Sequence, residues 1–285
     1  MRIGINPSLW PRSAPYAEIA EIVAELGYAG IEGMREFFDQ PRAMASLLAD
    51  TELELTGGYF AANWFDPDWR QREFDALRAV AERYADCGAG FIVAAQTGSP
   101  HRFATAGHFP EGRADGLTDW QWGYLGEGLS LAGEFLAEEF GLRLGFHNHA
   151  GTFVETQEEC DALIDRTDPE TVALAPDTGQ LLYGGIDPLA FFETNLERIA
   201  YVHLKDVDAQ VLEESVDAGL SFREASLDGV FTPLGQGECA IGEVVALLSE
   251  SDYRGWLVVE QDYSPLDPAI AAGESLEFLA SQLGS

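Results

Sequence analysis

Residues 142–177 read LRLGFHNHAGTFVETQEECDALIDRTDPETVALAPD. The apolar run Leu142–His147 breaks off in the polar triplet His147-Asn148-His149. The segment Gln157–Arg166 then carries helical spacing, and a second apolar run, Val172–Ala175, ends in Pro176-Asp177. Two short runs too brief for helices, joined by one helical segment, predict a strand–helix–strand crossover and hence parallel strands.

The same unit recurs in both directions. Further candidate strands are Arg2–Asn6, Gly30–Gly33, Leu53–Tyr59, Phe91–Ala95, Ile199–Leu204 and Trp256–Glu260. Helical spacing fills the intervals at Tyr16–Leu26, Trp69–Cys87, Leu125–Phe140 and Ile241–Glu250, and a last helix, Pro268–Leu283, closes the chain. Each strand followed by helical sequence is the pattern of the α/β class, here a single (β/α)8 TIM barrel over 1–285. The length of 285 residues suits one such barrel, typically roughly 250 residues, and 46% apolar residues supply its core. The alternative, an open doubly wound sheet, lacks its glycine fingerprint, because the first turn reads Asn6-Pro7-Ser8. Two connections, about 96–119 and 206–237, exceed the usual loop length. Both follow strands, which puts them on the face where barrel enzymes build their sites.

Charge excludes several partners. Forty-nine acidic residues against sixteen Lys and Arg leave a formal net charge of −33, the opposite of what displaces counterions from nucleic acid. Anionic lipid is excluded on the same ground. The acids are spread over helical segments (Glu134, Glu138, Glu139, Glu158, Glu159, Asp161), which reads as an acidic surface suited to high salt. Cys87, Cys160 and Cys239 are far apart and form no thiolate metal site or disulfide framework. The start MRIGINPSLW lacks a signal peptide's basic and apolar regions. No run of ~18 apolar residues predicts a membrane span. A cytoplasmic enzyme with a small-molecule substrate is the expectation, with homo-oligomer formation left open.

The chemistry lies where polar residues interrupt strand ends. Four successive candidate strands finish at His147-Asn148-His149, at Asp177, at His203-Leu204-Lys205 and at Glu260. Side chains alternate in a strand, so His147 and His149 share a face, as do His203 and Lys205. Imidazole plus carboxylate without thiolate suits Mn²⁺, Co²⁺, Fe²⁺ or Zn²⁺ rather than a soft-metal ion; the expected cofactor is Mn²⁺ or Co²⁺, with Zn²⁺, Fe²⁺ or Mg²⁺ as alternatives. Taken singly, Asp177 is as well explained as a helix cap, and His203 as a core histidine. Glu260 after three apolar residues is harder to dismiss, because an unpaired buried carboxylate is costly. As a set on one barrel face they point to a metal or acid–base site.

The stretch His147-Asn148-His149-Ala150-Gly151-Thr152-Phe153-Val154-Glu155-Thr156 resembles the HxHxGTxVxT segment of inosose dehydratases, which belong to the xylose-isomerase-like TIM barrels, the sugar phosphate isomerase/epimerase and AP endonuclease 2 group. Asp177-Thr178-Gly179, Val202 to Val207, Gly219 to Phe222, Asp228 to Thr232 and Gly255 to Glu260 are similar in turn, so the likeness is dense from about 140 to 265. Gly30-Ile31-Glu32-Gly33 and Gln96-Thr97 echo it more thinly. The resemblance implies a divalent metal held by Asp177, His203 and Glu260. It puts His147 where related barrels place a glutamate, with His149 or Glu155 as alternatives there. One departure stands out: the family's Asp-Thr-Gly-His becomes Asp-Thr-Gly-Gln180 here, and an amide cannot shuttle a proton.

The implied activity is dehydration of a polyhydroxylated cyclic ketone. His149 is the expected base, with Glu155 second, and Lys205 is expected to steady charge or assist the leaving group. Glu32, Gln180 and Arg102 are expected to meet the substrate. Trp10, Phe60 and Trp64 are candidates for an apolar wall or for core. The rival reading is a ketose isomerase or epimerase using the same metal. A multi-zinc nuclease is excluded by only five histidines and the wrong charge. A sugar-binding barrel without catalysis is disfavoured by the Asp177/His203/Glu260 set.

Overall fold

The computed structural model describes residues 1–33, 41–108 and 115–284; part of the first long connection, 109–114, lies outside them. The strands are β1 (Arg2–Ile5), β2 (Gly30–Gly33), β3 (Glu54–Ala62), β4 (Phe91–Gln96), β5 (Arg143–His147), β6 (Val172–Leu174), β7 (Val202–Leu204), β8 (Asp206–Val207), β9 (Phe231–Thr232) and β10 (Trp256–Val259). The parallel sheet runs β6-β5-β4-β3-β2-β1-β10-β7. Parallel bridges Leu174↔Ile199 and Asp177↔His203 join its two ends. The barrel therefore closes in chain order, one strand per turn, as the alternating pattern predicts. No helix among the described residues is long and apolar enough to cross a membrane.

The helices are α1 (Tyr16–Leu26), α2 (Pro41–Thr51), α3 (Arg70–Asp86), α4 (Pro100–Ala104), α5 (Asp119–Phe140), α6 (Gln157–Arg166), α7 (Thr178–Tyr183), α8 (Pro188–Asn195), α9 (Ala209–Asp217), α10 (Phe222–Leu227), α11 (Ile241–Glu250) and α12 (Pro268–Leu283). The two long connections are thus not plain loops: the first carries α4, the second α9, α10 and the β8–β9 ribbon. Helix α5 begins earlier than its apolar spacing suggests, because Thr118 and Gln121 form a reciprocal capping box at its start.

Two apolar layers hold the barrel. The larger lies between strands and helices and includes Ile31, Leu77, Leu144, Leu204 and Leu257. The smaller fills the barrel's interior with Phe91, Val93, Ala175, Tyr201 and Val258. Tyr201 stacks on Phe91 with ring centroids 5.1 Å apart, and its hydroxyl lies 2.7 Å from Thr56 Oγ1. Strand periodicity then determines what sits one layer higher. Two residues beyond Ala175 is Asp177, beyond Tyr201 is His203, and beyond Val258 is Glu260. The apolar plug is the floor on which the polar strand ends stand.

Candidate metal centre and active-site pocket

His147, Asp177, His203 and Glu260 each offer a ligand atom, and these atoms lie within 4.8 Å of one another, all buried. The Nδ1 atoms of His147 and His203 are 3.1 Å apart, so at least one presents a lone pair to the other. His203 Nδ1 is 3.3 Å from Glu260 Oε2. Asp177 takes the cap role open to it in the sequence and keeps its second oxygen among the candidate ligands. Its Oδ1 caps α7 by accepting from the Gln180 N–H, while Oδ2 has no hydrogen-bond donor. Glu260 Oε2 likewise has none. Two imidazole nitrogens and two under-satisfied carboxylate oxygens converging in a buried spot fit a divalent ion.

Lys205 stands beside this cluster, fully buried. Its ammonium lies 3.3 Å from Asp177 Oδ2, 3.2 Å from Glu260 Oε1 and 2.9 Å from Asp262 Oδ2. Gly179 makes room for it, since a Cβ there would come within 2.6 Å of Lys205 Cγ. Burial works against the Lys205 charge, but the three carboxylates outweigh it and raise its pKa well above the ordinary value. Among the carboxylates, burial pushes Asp177 up to about 6 despite Lys205. Glu260 resists the same burial and stays low, held by Lys205 and His203. Burial also opposes charge on His203, yet Glu32 and Glu260 raise it to about 9.

A cavity of about 410 Å³ opens beside Glu260 of the cluster, within the usual range of ligand sites. Glu260, Asp262, His149, Asn6, Arg12 and Tyr59 are among the residues lining it. His149 lies within 2.7 Å of the Ala150 carbonyl through Nδ1; the acceptor fixes the proton there and leaves Nε2 with its lone pair. Burial and the Lys205 charge lower its pKa, keeping the ring neutral.

Several expected site residues are placed elsewhere. Glu155 and Arg102 are fully buried and face each other at 3.8 Å. Arg102 also binds Glu159 Oε1 at 2.6 Å and Asp115 Oδ2 at 3.0 Å, and Glu155 accepts from the Gly107 N–H. Neither is in the four-residue cluster; a buried guanidinium needs carboxylates around it, and Arg102 draws them from Glu159, Asp115 and Glu155. Glu159, read as a surface acid, is buried for the same reason. Gln180 accepts from the Ala150 N–H at 3.0 Å and so ties the His149 turn to α7. Glu32 is not itself among the lining residues; it reaches His203 and Asn6, and Asn6 lines the pocket. Phe60 lines the pocket, whereas Trp10 and Trp64 are buried in the core, Trp64 donating to the Ala95 carbonyl. Asn6 and Asp262 were not singled out from sequence. Both sit just past strand ends, which is the one signal that could have found them.

A model of the xylose isomerase-like TIM barrel matches residues 20–282. The chain belongs to the xylose isomerase-like TIM-barrel family. It is 36% identical over 278 residues to an inosose dehydratase of Geobacillus kaustophilus, spanning 95% of this chain and 89% of that protein. It is 32% identical over 288 residues to inosose dehydratase 2 of Bacillus cereus, spanning 95% and 92%. Among solved structures, the IOLI protein with a bound zinc atom superposes with a TM-score of 0.75 at 14% identity, covering 100% of this chain and 98% of that one. That last likeness speaks to the fold of this family member.

Proposed function

We propose that this chain is a metal-dependent hydro-lyase that removes water from a cyclic polyhydroxylated ketone of the inosose type. The observation that carries the reading is its identity, over nearly the whole chain, to proteins named for that reaction. The geometry supplies the parts. His147, Asp177, His203 and Glu260 would hold the ion, Mn²⁺ or Co²⁺ by preference, with Zn²⁺, Fe²⁺ or Mg²⁺ as alternatives. A divalent ion there contributes Lewis-acid polarisation of a ketone oxygen.

Water loss requires the proton on the carbon beside the ketone to leave, its C–H pair becoming a C=C bond as the hydroxyl departs from the next carbon. The enol that results is a tautomer of a dione. His149 is the base, through Nε2: the residue lines the pocket, is held in one tautomer and is neutral. The proton it takes is then available to the departing hydroxyl, so one imidazole closes the proton balance. Lys205, clasped by three carboxylates, holds its own proton tightly and acts as a fixed positive charge. Asn6, Tyr59 and Asp262 offer hydrogen bonds to ring hydroxyls, and the neutral polyol suits so negative a chain better than a sugar phosphate does. We further propose that 1–285 works as one catalytic domain, in the cytoplasm, at high salt, with homo-oligomerisation open.

The test is turnover of 2-keto-myo-inositol by chelator-stripped protein in multimolar KCl with Mn²⁺ or Co²⁺ restored. Metal-dependent dione absorbance, abolished by Glu260→Gln, supports the reading. Metal-dependent interconversion of ketoses without dione would transfer the function to an isomerase or epimerase.

A further inference from the structure

The one strand irregularity in the barrel's pairing of β2 with β3 falls on Glu32. Register shifts between Ile31 and Gly33, and such bulges re-aim a side chain. Two tyrosines pin the irregular backbone: Tyr16 donates to the Glu32 carbonyl and Tyr84 to the Gly33 carbonyl, each at 2.9 Å. The Tyr84 ring occupies the space over Gly58, where a Cβ would come within 1.9 Å of it. The result is a carboxylate buried to 1% exposure, a costly placement unless its partners satisfy it. Glu32 Oε2 lies 2.8 Å from His203 Nε2 and accepts from Asn6 Nδ2 at 2.7 Å. Asn6 is itself held, its Oδ1 accepting from the Ser8 N–H, and it also lines the pocket.

We propose that Glu32 is a positioning residue that decides which nitrogen His203 presents to the metal centre. A carboxylate at Nε2 keeps a proton on that atom and turns Nδ1 toward His147, Asp177 and Glu260. A carboxylate behind a ligating imidazole also raises its basicity and fixes its plane, and losing such a partner typically costs roughly 10–100-fold in metal affinity. Asn6 extends the chain of contacts to the pocket wall, so the element that meets substrate also braces the ligand. The proposal rests on the metal-site reading above.

The experiment titrates Co²⁺ into chelator-stripped wild type, Glu32→Ala, Glu32→Gln and Asn6→Ala, reading affinity by calorimetry and the ion's visible absorption. Glu32→Ala is expected to weaken Co²⁺ roughly 10–100-fold and to change the band, with a circular dichroism spectrum like wild type. Glu32→Gln keeps an oxygen that can accept from both His203 and Asn6, and should recover most of the affinity. Asn6→Ala should show a smaller loss of the same sign. Wild-type affinity and an unchanged band in Glu32→Ala would overturn the proposal while leaving the metal site standing. If Glu32→Ala does not fold, equal affinities in wild type, Glu32→Gln and Asn6→Ala overturn it instead. Wild type that binds no Co²⁺ would sink both readings together.

Discussion

Replacing Lys205 by methionine keeps most of the stem that packs on Gly179 and removes the ammonium, which also stands 4.9 Å from the centroid of the Phe231 ring. The ammonium sits 3.3 and 3.2 Å from the carboxylates of Asp177 and Glu260, both buried, and 2.9 Å from the partly exposed Asp262. Removing one partner of a buried ion pair costs roughly 3–5 kcal/mol, because the remaining charge has neither water nor counterion. At about 2–4 °C per kcal/mol for a chain of this size class, metal-free Lys205→Met should melt roughly 6–20 °C below wild type. The cost should grow with pH. Burial already holds Asp177 at about 6; without Lys205 it rises further, so at low pH protonation relieves the strain and at pH 8 it does not. Divalent metal should then rescue the variant more than it stabilises wild type, since the ion replaces the missing cation for the same carboxylates. Near-UV circular dichroism melts with and without Mn²⁺, at pH 5 and 8, measure all of this. Equal melting points for the metal-free proteins at pH 8 would refute the view that Lys205 balances the site's charge.

Three further outcomes follow from the same geometry. Glu32 and Glu260 hold His203 at about 9, above its usual 6.5, against the effect of burial; its contribution to stability is complete below pH 6.5 and lost as pH rises through 9, so metal-free melts should fall across that window and the fall should vanish in His203→Gln. His149→Gln should cut turnover roughly 10²–10⁴-fold while calorimetry shows nearly unchanged metal affinity, because His149 lies outside the four-residue cluster; undiminished turnover would remove it as the base. Gly58→Ala would force the Tyr84 ring out of its seat, costing about 1–3 kcal/mol in overpacking and about 1 kcal/mol for the lost bond to Gly33, read as a lower denaturant midpoint.

How much of this was legible in sequence depends on whether the feature lies along one strand or between two. The barrel and the layer of polar strand ends follow from period-2 alternation: Tyr201, His203 and Lys205 must share a face whatever surrounds them. That reasoning finds which residues look inward but cannot find whom they meet across the barrel. Arg102 and Glu155 are chemically apt for a site, yet chain folding brings them to each other. Glu32 looked like a substrate contact because nothing in Gly30-Ile31-Glu32-Gly33 announces a bulge; the shift arises from pairing with β3 and from two distant tyrosines. Asp177 shows the converse. Its readings as helix cap and as site residue competed in the sequence, but a carboxylate has two oxygens, and the structure gives one to the cap and leaves the other beside the cluster. The cap fixes the side chain's rotation, and that fixed rotation aims the second oxygen at Lys205 and the cluster. Local structure and the candidate site are here tied to one side chain, so a substitution that spoils the cap should displace the proposed ligand as well.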